Sequence, residues 1–473
     1  MKSTINIALG AAFLLMASCA KELGKLPENA KVDGNTILDQ HTAQIALNGA
    51  YYRFANVQSD NNYTTWQQHE VAPSVYAGFM GYGYGADDAE DNLYSNSFFA
   101  DPYWTEAYDV INAANGVIHG VTGLPDNKFT GTRKAEMIGE ARFLRAYSNF
   151  KLLSYYGQWF DLGSKYGILL RSDFVTVNNI SKARSSVQES YDSIFADVDD
   201  AIAHAPATNA NYYANRYAAM ALKMRILLSH GQAADFTMAI TLADSIIAHG
   251  GYALEANIKD LFYLKGLASK EVILGIQPEA NQELYYYNVS SQYWPGHSSL
   301  YVAKGALKNL LAGDPRASWM IGDTNRYAND TYYFLKYIAQ GTTSTQVSET
   351  AYAFRLSEVY LLKAEAIVRS GGNLAEARAI LQLIQSHAGV TDFTPINNAT
   401  TAEAMRNQVF LEIQRSLVGE DGQDWMALAR LPMSTIKQVR PTIKDPIQLV
   451  LPVPHTEFVY NPGFGEQNPG YQR

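Results

Sequence analysis

The run from Gly139 to Gly157, GEARFLRAYSNFKLLSYYG, constrains this chain more than any other stretch. It continues a helical pattern that starts near Arg133. Apolar or small residues at Met137, Ala141, Leu144, Ser148, Leu152 and Tyr155 recur at steps of four and three, the period of one helix face. Glu136, Glu140, Arg142, Arg145 and Lys151 fall mostly off that stripe. Gly157 can end the helix by taking a left-handed backbone at no side-chain cost. The run is roughly 34 Å long at about 1.5 Å per residue, enough to cross a domain. Ala141, Ala146 and Ser148 are small enough to admit a close neighbour. Such a helix needs partner helices.

The chain supplies them on both sides. Helical spacing recurs over Asp39 to Ala55, with Ile45, Gly49 and Tyr52 as core candidates, and over Trp104 to Val121. Ser185 to Ala205 opens with a serine cap and Glu189, the signature of a capping box. Ala214 to His230, Phe236 to His249, Phe354 to Ser370, Leu374 to Ala388, Thr401 to Val418 and Asp424 to Leu431 follow. Glu271 to Gln277 reads as a strand, and Gly163 to Asn179 as irregular chain with a short strand. Two blocks, near 60–100 and 279–345, are rich in aromatic residues and keep no steady period. The tail from Leu449 is rich in proline and has no helical period. Helix pairs with short connections look like degenerate tetratricopeptide hairpins, without a strict repeat of about 34 residues. The expected fold is mainly α, a tetratricopeptide-like hairpin scaffold over residues 37–473 with irregular or β loop insertions.

Chemistry is easier to exclude than to find. The net charge is −9 with no basic run, which argues against nucleic acid as partner. The histidines are scattered, with no zinc spacing. There is no Walker A run and no G-x-S-x-G. Gly81 to Ala86 fits G-x-G-x-x-A, but no strand precedes it and no helix follows it, so no dinucleotide is assigned. The reading is therefore of a protein that is not an enzyme, with no catalytic residue, metal or cofactor. Asp87, Asp88, Glu90 and Asp91 could offer oxygen ligands to calcium, but a solvated acidic loop accounts for them as well.

The one cysteine, Cys19, follows a charged start, an apolar run from Ile5 to Leu15, and Met16-Ala17-Ser18. That run is too short to span a bilayer and suits a signal peptide. Cys19 is either incidental to an ordinary cleaved signal or the lipidated residue of a lipobox. Its being the sole cysteine favours the lipobox. Residues 1–18 then form the signal peptide and 19–36 a lipidated tether.

The aromatic blocks suit sugar recognition. Ring faces pack on the C–H faces of pyranoses, and amides or carboxylates hold hydroxyls. Candidate rings are Trp66, Tyr82, Tyr84, Tyr286, Tyr293 and Trp294, with Asn61, Asp87 and Gln292 as hydroxyl partners. Trp294 is the leading candidate, because Tyr293, Pro295 and Gly296 would hold it on an exposed turn. The competing reading is that these rings fill the core of the blocks.

Several segments resemble the SusD/RagB family of outer-membrane nutrient-binding lipoproteins. Trp104, Tyr108, Ile111 and Asn115 are similar to its W-Y-I-N helix, and Glu140 to Ala146 to its most recognisable segment. Asp314-Pro315-Arg316, Lys336-Tyr337 and the helix Phe354 to Ala366 also match. The ending does too, in Leu451-Pro452-Val453-Pro454, Glu457, Asn461-Pro462 and Gln467-Asn468-Pro469-Gly470-Tyr471. The runs Gln385 to Gly389 and Asp421 to Arg430 depart from the family pattern. The resemblance implies a tetratricopeptide-based fold anchored at the outer cell surface. It also implies a SusC-like TonB-dependent transporter as partner, over which the protein acts as a lid that captures oligosaccharide; the alternatives are a peptide ligand or a non-catalytic protein-docking scaffold.

Overall fold

The computed structural model describes residues 36–55, 66–85, 100–173, 175–176, 178–284, 288–296, 300–338 and 341–473. The expectations for Cys19, Asn61, Asp87 and Tyr286 lie outside these residues. Helices α1 (Gln40–Ala55), α2 (Trp66–Ala77), α3 (Ala100–Thr122) and α4 (Arg133–Tyr156) lead into α5 (Val187–His204), α6 (Arg216–His230) and α7 (Ala233–His249). α4 packs between α3 and α5, α1 packs against α3, and α6 pairs with both α5 and α7. Local signals bound two of these helices, and for α5 the sequence predicts them. Ser186 and Glu189 form the capping box of α5. Asn215 caps α6, which ends on left-handed Gly231.

The central helix departs from its predicted stripe. Met137, Ala141, Leu144, Ser148, Leu152 and Tyr155 are buried, but so are Glu140 and Lys151. Neighbours surround α4, so its polar side chains are matched rather than solvated. Glu140 accepts from Tyr51 Oη at 2.9 Å and Arg133 Nη1 at 2.8 Å. Arg145 grips Asp197 through two hydrogen bonds of 2.7 and 2.6 Å. Gly157 is extended (φ −105°), not left-handed. Glycine fits there because a Cβ would lie 2.6 Å from Leu153 Cδ1. In α1 the predicted phase is wrong. Ala43, Leu47, Ala50, Tyr51 and Phe54 are buried, while Ile45 and Tyr52 face solvent.

The two aperiodic blocks are more ordered than the sequence suggests. The first contains α2 and strand β1 (Met80–Tyr82). His69 to Ala77 is buried almost throughout, so α2 has no polar face to set a period, and it carries Pro73 inside. After β2 (Val272–Ile276), the second block supplies β3 (Tyr301–Lys304), β4 (Ile321–Thr324) and β5 (Thr331–Phe334), with short helices α8 (Gly305–Leu310) and α9 (Ala317–Met320). The two blocks join in one antiparallel sheet of order β1-β3-β5-β4, with Met80 opposite Ala303 and Val302 opposite Tyr333.

Strand β6 (Ala351–Arg355) pairs with β2 and runs straight into α10 (Leu356–Arg369). Then come α11 (Leu374–His387), α12 (Thr394–Asn397), α13 (Ala402–Leu417), α14 (Gln423–Ala429) and α15 (Met433–Val439). The tail holds a helix that the sequence reading missed, α16 (His455–Tyr460). Gly163 to Asn179 contains no strand among its described residues. Asn468 ties the tail down, donating to the Tyr156 and Leu451 carbonyls at 2.9 and 2.8 Å.

A buried charge network fastens the two ends of the chain. Asp421, left-handed at φ 45°, accepts from Tyr147 Oη at 2.6 Å, Lys151 Nζ at 2.6 Å and the Arg225 guanidinium. Burial alone would raise its carboxyl, but the Lys151 and Arg225 charges hold it well below the usual carboxylate range. Arg225 also pairs with Glu358, and Arg355 joins Glu271 to Glu420. Arg316 bridges Asp314 and Glu412, and Lys336 Nζ reaches Glu420. The recognisable segments of the sequence therefore meet here as packing chemistry, not as a ligand site.

Candidate ligand-binding face

The aromatic residues of the two blocks form a file of rings running inward from the surface. Tyr84, just beyond β1, is 56% exposed. Its ring lies 5.5 Å from that of Tyr82, which is 6.0 Å from Tyr301, which is 6.1 Å from Tyr293. Tyr293 reaches Tyr337 at 5.6 Å. Behind Tyr84 every ring is buried, and two of the hydroxyls find partners inside. Tyr293 Oη donates to Glu70 Oε2 at 3.2 Å, and Tyr337 Oη donates to the Gly419 carbonyl at 2.6 Å. The buried rings thus hold one exposed ring in place.

Three turns meet at that edge of the sheet. The Gly83 amide donates to the Leu300 carbonyl at 2.9 Å, and the Leu300 amide to the Gln292 carbonyl at 2.8 Å. Asn325 Nδ2 donates to the Gly83 carbonyl at 2.8 Å. These bonds set the Tyr84 turn beside the Gln292–Gly296 segment and the turn between β4 and β5. The last of these presents Arg326, whose Nη2 donates to Tyr327 Oη at 2.9 Å. A ring, a guanidinium and amides on one rim can hold a polar ligand that has an apolar face.

The predicted site residues divide accordingly. Tyr84 is exposed, and Trp294 is half-buried at the end of the Ser290–Tyr293 turn. Trp66, Tyr82, Tyr293 and Gln292 are core residues. Trp66 stacks on His69 with centroids 4.7 Å apart and meets Phe54 edge-on at 5.0 Å. A side chain enclosed in this way offers no face to a ligand, so the structure corrects these four. Arg326 and Tyr327 are further candidates that the sequence reading does not include. Ala328-Asn329-Asp330, between two short runs of strand-forming residues, was the turn signal that could have found them.

Other spaces suit other roles. A cleft of about 750 Å³ between α1 and α3 is lined largely by small and apolar residues, among them Ala46, Gly49, Ala113 and Val117. It has few groups to hold hydroxyls. An internal cavity of about 20 Å³ borders Glu106, Arg53, Tyr103 and Lys151. Among the described residues, neither Glu106 oxygen has a hydrogen-bond partner. Burial, with a smaller push from Asp109, raises this carboxyl to about 9. Between about pH 4.5 and 9 the folded protein thus keeps a proton that the unfolded chain has released, and stability falls as pH rises. Glu106→Gln is expected to flatten that slope and to stabilise the protein by about 1–3 kcal/mol at pH 8, after the cost of a buried amide. Denaturant midpoints across that range check it; a variant with the parent's slope would refute the assignment.

Two family models match the chain. One, described as starch-binding and associating with the outer membrane, covers residues 21–228, and that of the SusD family covers residues 315–433. A SusD-like protein of Formosa agariphila is 22% identical over 398 residues, 73% of this chain and 75% of that protein. A solved SusD superfamily protein of Bacteroides vulgatus aligns with a TM-score of 0.73 at 22% identity, over 92% of this chain and 100% of that one. A laminarin-binding SusD-like protein aligns at 0.70 with 18% identity, over 91% of this chain and 99% of that one. At such identities the solved structures bear on the fold, which is the helical scaffold expected from the sequence.

Proposed function

Because the chain belongs to the SusD family, we propose that it is a cell-surface glycan-binding lipoprotein that captures oligosaccharide without altering it. We further propose that it passes the ligand to a SusC-like TonB-dependent transporter. The observation that carries the reading is the exposed Tyr84 ring, backed by a file of buried rings and set beside the turn that carries Arg326 and Tyr327. Rigid rings lose little entropy on binding, and polar neighbours fix the orientation of the sugar. By analogy with base stacking, each ring contributes about 1–3 kcal/mol. A site of one or two rings therefore binds weakly and depends on a transporter to carry the ligand onward.

A glycan array, followed by calorimetry on the hits, tests this. Tyr84→Ala is expected to lower oligosaccharide affinity at least about fivefold, with an unchanged thermal midpoint because the ring is solvated. Unaltered glycan binding in the variant would remove Tyr84 from the site. Binding of peptides and of no glycan would move the protein to the peptide-binding side of the family. Mild-detergent extraction is expected to recover a TonB-dependent barrel with parent and variant alike. Recovery of the lipoprotein alone, where control complexes survive, would remove the transporter from the proposal.

A further inference from the structure

We propose that the cleft between α3, α16 and the 169–180 segment is a second sugar site, built for one neutral pyranose ring. The proposal rests on the glycan-binding reading above, but uses none of the same residues. The cleft holds about 250 Å³. This is just below the roughly 300–1,000 Å³ usual for small-molecule sites, so it suits a single ring rather than a chain.

Its floor is rigid. Trp104 Nε1 donates to Glu457 Oε2 at 3.1 Å, and Asn461 Nδ2 donates to Glu457 Oε1 at 2.8 Å. That carboxylate is committed to fastening α16 onto α3. On the outer wall Arg171 donates to the Asn179 and Ile180 carbonyls at 2.8 and 2.6 Å.

The groups left over have the chemistry of sugar recognition. Tyr460 closes α16 and lines the cleft with its side chain 71% exposed. Asp109 and Asn112, three apart on α3, line the facing wall. Among the described residues Asp109 makes no side-chain hydrogen bond, and Asn112 uses only its carbonyl oxygen, toward the Val175 amide at 3.4 Å. An aromatic ring, a carboxylate acceptor and an amide donor together hold a C–H face and adjacent hydroxyls. Among the described lining residues the Glu457 oxygens and the Arg171 guanidinium are already engaged, which leaves the Asp109 carboxylate to accept from sugar hydroxyls.

The methyl pyranosides of glucose, galactose, mannose and xylose are the probes. They are read by saturation-transfer NMR and calorimetry on the whole mature chain, made soluble by Cys19→Ala. At least one is expected to bind in the millimolar range. Tyr460→Ala should weaken it at least about fivefold with an unchanged thermal midpoint, and Asp109→Asn should weaken it further. Tyr84→Ala should leave it untouched. The inference is overturned if no pyranoside binds, if binding ignores Tyr460→Ala, or if Tyr84→Ala abolishes it. Oligosaccharide binding by the parent is measured alongside. If it persists while the pyranosides fail, only this second site is lost; if it is absent, the glycan-binding reading itself has failed.

Discussion

Asp421→Asn is expected to cost about 3–5 kcal/mol of stability, the usual penalty for removing one partner of a buried charge cluster. Asn keeps the volume and tolerates the left-handed backbone that Asp421 adopts at φ 45°, so the substitution isolates the charge. What remains is Lys151 and Arg225, both buried, with Glu358 paired to Arg225 and, among the described residues, the backbone carbonyl of position 421 accepting from Lys151. Asp421→Ala should cost about 1 kcal/mol more, through backbone strain. The double variant Asp421→Asn/Lys151→Met should recover part of the loss, because it also removes a stranded charge. Urea midpoints with circular dichroism give the comparison. An Asp421→Asn protein within about 0.5 kcal/mol of the parent would mean that water reaches the cluster and the charges are not truly buried. The pH dependence has a definite sign. A carboxyl held below its unfolded value contributes stability above that value, and this is lost only as pH falls through its depressed range. Acidification to about pH 4.5 should therefore leave the Asp421 charge intact.

Cys19→Ala is expected to move the protein from the membrane fraction to the soluble fraction almost completely. No helix among the described residues is long and apolar enough to cross a membrane. The apolar run before Cys19 is too short to do so and is expected to be cleaved. On the proposed lipoprotein reading, attachment rests on acyl chains on Cys19, at about 0.8 kcal/mol per buried CH₂, where two chains anchor stably and one only marginally. The measurement belongs in a host that lacks the proposed transporter, so that a protein contact cannot stand in for lipid. A variant that stays in the pellet after high-salt washing, as the parent does, would show that Cys19 is not the anchor.

Sequence alone determined much of the scaffold. α5 declares its start through Ser186 and Glu189 and keeps a solvated face, so the contrast between polar and apolar positions survives in its period. The tail motif was also legible, as a chemical pattern whose job is to pin the C-terminus to the end of α4. Tertiary structure decided the rest, and for one reason. Periodicity reports burial on one side, and an element buried all round loses it. That is why α2 shows no period, and why Glu140 and Lys151 of α4, off the predicted stripe, are buried all the same. The same limit governs the candidate site. Tyr82 and Tyr84 are two residues apart on one glycine-rich stretch, and composition cannot rank them. Only the sheet, made from strands more than 200 residues apart, turns Tyr82 inward onto Tyr301 and leaves Tyr84 at the rim. Lys151 and Asp421 lie 270 residues apart, and no local signal couples them. Their attraction acts through space once water is excluded, so the fold had to bring them together before either charge could be assigned a role.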